Sequence, residues 1–268
     1  MKLDSKIVVV TGAGSGIGRA TALAAASEGA RIVACDVDRA RLEILERELG
    51  PRALLVREVD VASRAAMAAF ADEVHAKVPA VDVVVNNAGV AVGGGFLDTS
   101  LDDWDWLLGI NLRGVIHGCH FFIPKMVARG AGGHVVNISS ILGIFPAPKV
   151  TAYVASKFAV LGLSQSLRSE LAEHRIGVTA ICPGMIATAI VEDGRLSGPV
   201  HRRRSAMTKR FHKSGAPPEL VARTILDAIR TNPAVRTVGR DAAVIHALTR
   251  LAPAMTSRIG AIVSRRFD

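Results

Sequence analysis

Short apolar runs alternate with longer helical patterns along most of the 268-residue chain, and this order constrains the fold more than any other feature. Most runs are continuously apolar, as expected of parallel strands covered on both faces. The predicted strands are Ile7–Val10, Ile32–Cys35, Leu54–Val56, Val81–Val85, His134–Ile138, Val178–Cys182 and Val235–Val238. The predicted helices are Ile17–Glu28, Arg39–Leu49, Ser63–Lys77, Leu101–Arg129, Ala152–Glu173 and Glu219–Arg230. Because strands joined by helices form right-handed crossovers, the sequence predicts an α/β fold, a doubly wound parallel sheet with helices on both faces.

The net charge of +9 is concentrated in two segments. Residues 201–213 hold six Lys and Arg and no acid, and residues 240–268 hold five Arg and two Asp. The rest of the chain is therefore neutral, and without a docking motif we expect no nucleic-acid partner. No change of composition divides residues 1–239, which we interpret as a single domain followed by a basic amphipathic C-terminal extension, 240–268.

Cysteine and histidine usage argues against a disulfide framework or a metal site. Cys35, Cys119 and Cys182 are odd in number and far apart, as expected of thiols in a reducing compartment. The histidines have no ligand spacing, so no metal is assigned. The charged first residues do not resemble a signal peptide, and no apolar run is long enough to cross a membrane. We expect a cytoplasmic protein.

A glycine-rich loop, Thr11–Arg19, lies between the first strand and the first helix. Such a loop brings backbone N–H groups close to a pyrophosphate, so it favours dinucleotide binding. Asp36 follows at the end of the second strand, where a carboxylate accepts hydrogen bonds from ribose hydroxyls and repels a 2′-phosphate. We therefore expect NAD as the cofactor, although Arg19 and Arg39 lie near enough in sequence to leave NADP open.

The only tyrosine of the chain, Tyr153, lies four residues before Lys157. Two residues at this spacing lie on one face of a helix. A nearby ammonium favours the phenolate, so the pair is predicted to lower the phenol pKa and to transfer protons. A simple surface contact would have the same spacing.

The order of these motifs resembles the short-chain dehydrogenase/reductase family, whose fold is of the Rossmann type. The resemblance rests on Thr11, Gly12, Gly16 and Gly18, on Asn86-Asn87-Ala88-Gly89, on Asn111, on Ser140 with Tyr153 and Lys157, and on Pro183-Gly184 with Thr188. It implies that Tyr153 is the acid–base and that Ser140 binds the same substrate oxygen. It further implies that Lys157 binds the nicotinamide ribose and that Asn111 holds a water for proton relay.

The resemblance also implies the residues that contact the cofactor. They are Gly12, Ser15, Gly16, Ile17, Gly18, Asp36, Asp60, Val61, Asn87, Ala88, Gly89, Tyr153, Lys157, Pro183, Gly184, Ile186 and Thr188. Asp60 has an equally good interpretation as a turn or capping acid. Relatives form homodimers or homotetramers, and either state is expected here.

Specificity in this family depends largely on a substrate loop, here about 185–216, which we expect to be flexible near Gly194 and Gly198. Small and apolar residues near the site predict a lipophilic secondary alcohol or ketone of the steroid, retinoid or fatty alcohol type. The basic segments 201–213 and 240–268 suit an anionic membrane surface or an acidic carrier. Two alternatives stay open: a reductase of 3-oxoacyl thioesters on acyl carrier protein or CoA, and a dinucleotide-sensing protein without turnover.

Overall fold

The structure is a computed structural model that describes residues 1–239, 242–243, 245–246 and 249. Its strands are β1 Ile7–Thr11, β2 Arg31–Asp36, β3 Ala53–Glu58, β4 Val83–Asn86, β5 Val92–Gly93, β6 Gly133–Ile138, β7 Ile176–Pro183, β8 Arg195–Leu196 and β9 Val235–Val238. Its helices are α1 Gly16–Ser27, α2 Arg39–Leu49, α3 Arg64–Lys77, α4 Leu101–Leu108, α5 Gly114–Arg129, α6 Thr151–Glu170, α7 Gly198–Arg202, α8 Arg204–Ser214 and α9 Pro218–Thr231.

Seven strands form one sheet in the order β3-β2-β1-β4-β6-β7-β9. Every pairing in it is parallel, and Val9 of β1 lies opposite Val33 of β2 and Val84 of β4. These central residues are fully buried, because helices cover both faces of the sheet. The predicted doubly wound α/β architecture is therefore confirmed.

The two faces of the sheet are covered by different sets of helices. Helices α1, α2 and α9 pack on one face through small and aliphatic residues such as Ala22, Leu45 and Ile225. Helices α3, α5 and α6 pack on the other face, where Met67, Phe122 and Val160 are fully buried. None of the helices in the described part of the chain is long and apolar enough to cross a membrane.

The predicted helix Leu101–Arg129 is wrong in one detail. A π-helical turn, Gly109–Arg113, separates α4 from α5. The turn is short and has helix on both sides, so the sequence pattern predicts one continuous helix; such turns often occur at functional sites. This turn carries Asn111, one of the predicted site residues.

The predicted substrate loop contains regular secondary structure. Strand β8 pairs in parallel with β5, and α7 and α8 occupy most of the basic segment 201–213. The segment near Gly194 and Gly198, predicted to be flexible, borders β8, and the N–H of Ser197 donates to the Gly93 carbonyl at 2.8 Å. The predicted extension, 240–268, lies almost wholly outside the described residues.

Candidate active site

The predicted site residues converge on the edge of the sheet at which β1, β4, β6 and β7 end. Parallel strands place their carboxyl ends together, and ligands of open α/β sheets bind there. Thr11 ends β1, Asn86 ends β4 and Pro183 ends β7, while Ser139 and Ser140 follow β6 directly. Residues that lie far apart in the sequence thus form one cluster.

The glycine-rich loop is shaped for the close approach of a ligand backbone. Gly12 and Gly16 have φ angles of +63° and +50°, which side-chain-bearing residues rarely adopt. A Cβ on Gly18 would lie 2.0 Å from the Gly12 carbonyl oxygen, so only glycine fits there. Such a loop at the N-terminus of α1 fits a pyrophosphate.

Thr11 and Asn87 join this loop to the segment after β4. The Thr11 hydroxyl oxygen accepts hydrogen bonds from the N–H groups of Asn87 at 3.0 Å and Ala88 at 3.1 Å. In return, the Asn87 amide donates to the carbonyls of Thr11 at 2.9 Å and Gly12 at 3.0 Å. These four bonds fix Asn87 and Ala88 beside the glycine loop, as the motif order predicts.

Asp36 lies against the same loop. Its carboxylate accepts a hydrogen bond from the Gly14 N–H at 2.8 Å and another from the Asp38 N–H at 3.1 Å. The two arginines that left NADP open pair elsewhere: Arg19 contacts Glu48, and Arg39 contacts Glu43 at 3.0 Å. Neither ion pair includes Asp36.

A third arginine, Arg41, was not predicted, yet it lies beside Asp36. Together with Asp38 and Asp193 these two residues form a charged group that we call the Asp36 corner. A Cβ on Gly14 would lie 2.9 Å from the Cβ of Arg41 and 3.0 Å from the carboxylate of Asp36. The Arg41 guanidinium pairs with Asp38 at 3.0 Å and with Asp193, in the substrate loop, at 3.3 Å. The corner thus holds three carboxylates and one guanidinium, and its net charge is negative.

Tyr153 and Lys157 lie on consecutive turns of α6, as their spacing predicts. The Lys157 ammonium is 5.6 Å from the centre of the Tyr153 ring and donates to the Ile138 carbonyl at 3.0 Å. Lys157 is 4% exposed, and Gly89 lies beside it, with a would-be Cβ 3.4 Å from the ammonium nitrogen. The pair therefore lies in the cluster at the carboxyl ends of the strands and is not a surface contact.

Burial dominates the pKa values of this pair. Desolvation raises the pKa of Tyr153 to about 12, against a hydrogen bond with the Ser140 side chain that lowers it. Desolvation also lowers the pKa of Lys157 to about 8. The predicted lowering of the phenol pKa by Lys157 is therefore wrong for the protein without a ligand, because desolvation of the phenol is the largest effect on its pKa.

The two serines after β6 have different contacts. Ser139 is buried, and its hydroxyl donates to the Lys157 carbonyl at 2.8 Å, which joins β6 to α6. The Ser140 hydroxyl oxygen accepts from the Leu142 N–H at 3.1 Å and is hydrogen-bonded to Tyr153. Ser140 is thus the serine that faces the phenol, in agreement with the thirteen-residue spacing to Tyr153.

Asn111 is fully buried and fixes the loop after β4. Its side chain accepts from the Val90 N–H at 2.8 Å and donates to the Val90 carbonyl at 3.0 Å and to the Ser156 hydroxyl at 3.2 Å. The Ser156 hydroxyl in turn donates to the Tyr153 carbonyl at 2.7 Å. Ser156 therefore links Asn111 to the Tyr153 turn, and only its position beside Lys157 in the sequence could have indicated this.

The remaining predicted cofactor contacts lie around this cluster. Asp60 is exposed and accepts from the Ala62 N–H at 2.9 Å, which matches its interpretation as a turn acid; the adjacent Val61 is buried. The Gly184 N–H donates to Val238, which ties the end of β7 to β9. Ile186 is buried and bridges to Ala216. Thr188 lies over the glycine loop, with its methyl carbon 3.0 Å from a would-be Cβ on Gly16.

Comparison with known proteins gives a consistent result. Residues 6–196 match the family described as short chain dehydrogenase. Probable oxidoreductase EphD from Mycobacterium tuberculosis is 40% identical over 255 residues, which cover 92% of this chain but only 43% of EphD. The 3-oxoacyl-acyl-carrier-protein reductase FabG from Thermotoga maritima is 35% identical over 232 residues, 84% of this chain and 91% of FabG. A short chain dehydrogenase/reductase structure from Burkholderia phymatum in complex with NAD has a TM-score of 0.87 at 29% identity, covering 95% of this chain and 96% of the other.

Proposed function

The chain belongs to the short chain dehydrogenase family, and we propose that it is an NAD-dependent oxidoreductase that interconverts a secondary alcohol and a ketone on a lipophilic substrate. The observation that carries the proposal is the hydrogen bond between Ser140 and Tyr153, with the Lys157 ammonium 5.6 Å from the same ring. A hydroxyl, a phenol and a buried cation in this arrangement can bind one substrate oxygen and move its proton.

Tyr153 is the acid–base of the proposed reaction, and Ser140 orients the substrate. In the oxidative direction the Tyr153 phenolate oxygen accepts the proton of the substrate hydroxyl, and in the reductive direction the phenol returns it. The Ser140 hydroxyl, which accepts from the Leu142 N–H and is hydrogen-bonded to Tyr153, donates to the substrate oxygen in the proposed complex. Nicotinamide dinucleotide in its oxidised form would supply the hydride acceptor, and its positive ring would favour the Tyr153 phenolate.

Lys157 and Asn111 support Tyr153 in the proposed reaction. The pKa of Lys157, lowered to about 8 by burial, leaves its proton mobile near neutral pH. We assign the cofactor ribose and proton relay to this ammonium. Asn111 and Ser156 hold the Tyr153 turn against the loop after β4, so the phenol keeps its position through a catalytic cycle.

The charge of the Asp36 corner supports NAD over NADP. Asp36, Asp38 and Asp193 surround Arg41, and two of these acids pair with it, so its guanidinium is not available to a 2′-phosphate. A phosphate here would meet the Asp36 carboxylate instead, which is electrostatically unfavourable.

Three uncharged segments around the site support a lipophilic substrate. They are 90–95, 142–148 and 185–190, and none contains Asp, Glu, Lys or Arg. An apolar substrate gains free energy from the removal of its surface from water against such walls.

The decisive experiment is a panel of secondary alcohols and ketones, with steroid, retinoid and fatty alcohol members, assayed with NAD and with NADP by the absorbance of the reduced cofactor. We expect turnover of at least one apolar member with NAD, and its loss in Tyr153→Phe. Binding of NAD without turnover of any member would instead support the dinucleotide-sensing alternative.

A 3-oxoacyl thioester reductase is the second candidate, favoured by the basic surface of α7 and α8. Arg202, Lys209, Arg210 and Lys213 are exposed there, and FabG of Thermotoga maritima is a relative. Acidic carriers and the phosphates of CoA would be attracted to such a surface. Reduction of acetoacetyl-CoA at a higher kcat/KM than that of any alcohol or ketone in the panel would favour this function.

We further propose a cytoplasmic homo-oligomer that can contact anionic membranes. Ile116 on α5 and Phe158 on α6 are 41% and 40% exposed, which suits association between copies of the chain. Dimer and tetramer are separated by sedimentation equilibrium. Co-sedimentation with phosphatidylserine vesicles, with and without residues 240–268, tests the membrane contact.

A further inference from the structure

The substrate loop is attached to the segment after β4 by its backbone. The N–H groups of Arg195 and Ser197 donate to the carbonyls of Ala91 at 3.0 Å and Gly93 at 2.8 Å. The loop lies so close that a Cβ on Gly93 would be 2.7 Å from the Leu196 side chain, and one on Gly94 would be 2.0 Å from the Ser197 hydroxyl. Because Gly93 and Gly94 have no side chains, β8 can pack directly against the backbone of this segment.

The side chain of Arg195 extends beyond this glycine segment to α4. Its guanidinium carbon is 4.1 Å from the centre of the Trp106 ring, and one of its nitrogens is 3.1 Å from the Asp103 carboxylate. Arg195 thus makes a cation–π contact and an ion pair with one face of one helix. A guanidinium is suited to both contacts at once, because it is planar and donates within its plane.

Trp106 connects this contact to the acid–base. Val92, Leu107 and Ala152 form a small buried cluster, and the side chains of Trp106 and Tyr153 both pack against it. The loop, through Arg195, therefore presses on the same cluster that supports the Tyr153 ring. A change in the position of Arg195 would therefore displace Trp106 and alter the packing around Tyr153 on the substrate side of the phenol.

The rest of the loop is fixed in the same position from other directions. Asp193 pairs with Arg41 at 3.3 Å, beside Asp36. The Arg204 guanidinium donates to the carbonyls of Val191 at 3.1 Å, Glu192 at 2.7 Å and Gly194 at 3.0 Å, which fixes the backbone on both sides of Asp193. Among the basic residues at 201–213, Arg204 thus stabilises the conformation of the loop through these hydrogen bonds.

We propose that Arg195 is a positioning residue that holds the substrate loop closed against α4 and so forms the substrate-side wall of the active site. The kinetic consequence of this proposal rests on the proposed oxidoreductase function, whereas its structural consequence does not. In the closed loop the guanidinium covers the outer face of Trp106, and loss of the side chain opens this wall to water. The substrate then binds less tightly, whereas Ser140, Tyr153 and Lys157 keep their contacts.

The structural consequence can be tested without a substrate. In a Trp104→Phe background Trp106 is the only tryptophan, so its fluorescence quenching by acrylamide reports on the covering of its ring. Arg195→Gln in that background is expected to raise the quenching constant about twofold and to speed amide exchange at residues 195–197. Arg210→Gln, which removes the same charge from an exposed position of α8, is the matched control and is expected to change neither. Equal quenching and exchange in both variants would overturn the proposal.

The kinetic consequence separates positioning from a general loss of structure. With the best substrate of the panel, Arg195→Gln is expected to raise KM about three- to tenfold, while kcat changes less than twofold and the Tm stays within about 2 °C. Arg195→Lys, which keeps the charge but not the planar group, should recover only part of the loss. If no substrate is turned over, the quenching result still decides the position of Arg195. An unchanged KM in a variant whose quenching has risen would overturn the role as substrate-side wall.

Discussion

The ammonium nitrogen of Lys157 lies 5.6 Å from the centre of the Tyr153 ring. This distance allows a cation–π attraction, but the hydrogen bond of the ammonium goes to the Ile138 carbonyl at 3.0 Å. Burial therefore sets both pKa values, about 12 for the phenol and about 8 for the ammonium. A phenolate at neutral pH thus requires positive charge that arrives with the ligand.

The first prediction concerns the ionisation of this phenol. Because Tyr153 is the only tyrosine, the tyrosinate absorbance of the protein reports on it alone. In the ligand-free protein we expect the phenol to ionise near pH 12, above its ordinary value of 10.0. In the presence of saturating NAD the transition is expected to move to lower pH. The measurement is a rapid pH-jump titration at 295 nm, fast enough to precede alkaline unfolding.

Tyr153→Phe is the control for this titration. It should remove the absorbance change and lower kcat by at least about a hundredfold, the usual contribution of a general acid–base. A ligand-free transition below pH 10 would contradict the dominant effect of burial on the pKa of Tyr153. Turnover in Tyr153→Phe close to that of the wild type would contradict the assignment of Tyr153 as the acid–base.

The second prediction concerns the choice between NAD and NADP. Asp193→Asn removes one of the two carboxylates that pair with Arg41, so the guanidinium becomes available to a 2′-phosphate. We expect the ratio of kcat/KM for NADP to that for NAD to rise about tenfold, or ~1.4 kcal/mol. Asp36→Asn should raise the ratio further, because it removes the repelling charge while an amide oxygen can still accept from the Gly14 N–H. Asp72→Asn, which removes a carboxylate from an exposed position of α3, serves as the control, and an equal ratio in all variants would argue against the electrostatic account.

Contacts between strand ends could be predicted from the sequence, whereas contacts made by surface loops could not. Thr11 and Asn87 meet because parallel strands must end on one edge, so the order of the motifs was sufficient. Arg41 and Asp193 lie 152 residues apart, and Arg195 and Asp103 lie 92 residues apart. The spacing of residues in the sequence does not predict such pairs, because the path of the substrate loop depends on how β8 packs against the glycines after β4. The pKa of Tyr153 was mispredicted for a related reason, since the sequence shows the spacing of two residues but not their burial.

The third prediction concerns acid stability and His134. This residue is buried, and its Nε2 lies 3.0 Å from the Thr179 hydroxyl, which itself donates to the Pro233 carbonyl. The hydroxyl oxygen must therefore accept from Nε2–H of the ring. Burial, assisted by the charge of Arg168, lowers the pKa of His134 to about 4.

Because the unfolded chain takes up this proton at pH 6.5 and the native protein only near pH 4, stability contributed by neutral His134 is lost as the pH falls between these values. The contribution is about 3 kcal/mol at neutral pH. We expect His134→Gln to flatten the fall in the free energy of unfolding between pH 6.5 and pH 4.5, measured by urea denaturation. His120→Gln, at an exposed position of α5, should leave the slope unchanged. A slope in His134→Gln equal to that of the wild type would show that other groups control the acid transition.

The fourth prediction compares one substitution at two helical glycines. A Cβ on Gly118 of α5 would lie 1.9 Å from the Asn86 side-chain oxygen, whereas a Cβ on Gly162 of α6 would meet nothing within 4 Å. Alanine is the better helix former at both positions, by ~1 kcal/mol. Gly162→Ala should therefore stabilise the protein by up to that amount. Gly118→Ala should destabilise it by about 1–3 kcal/mol, because Asn86 must move.

The clash at Gly118 also has a functional consequence. The Asn86 side chain donates to the Asn137 side chain at 2.8 Å, which joins β4 to β6 at the level of the site. A displaced Asn86 shifts its neighbour Asn87 relative to the glycine loop, so Gly118→Ala should also weaken NAD binding, measured by fluorescence titration of NADH. Gly162→Ala should bind the cofactor as the wild type does. Equal stabilities for the two variants in urea denaturation would mean that Asn86 can move at no cost. NADH binding by Gly118→Ala equal to that of the wild type would show that the β4–β6 junction does not affect the cofactor site.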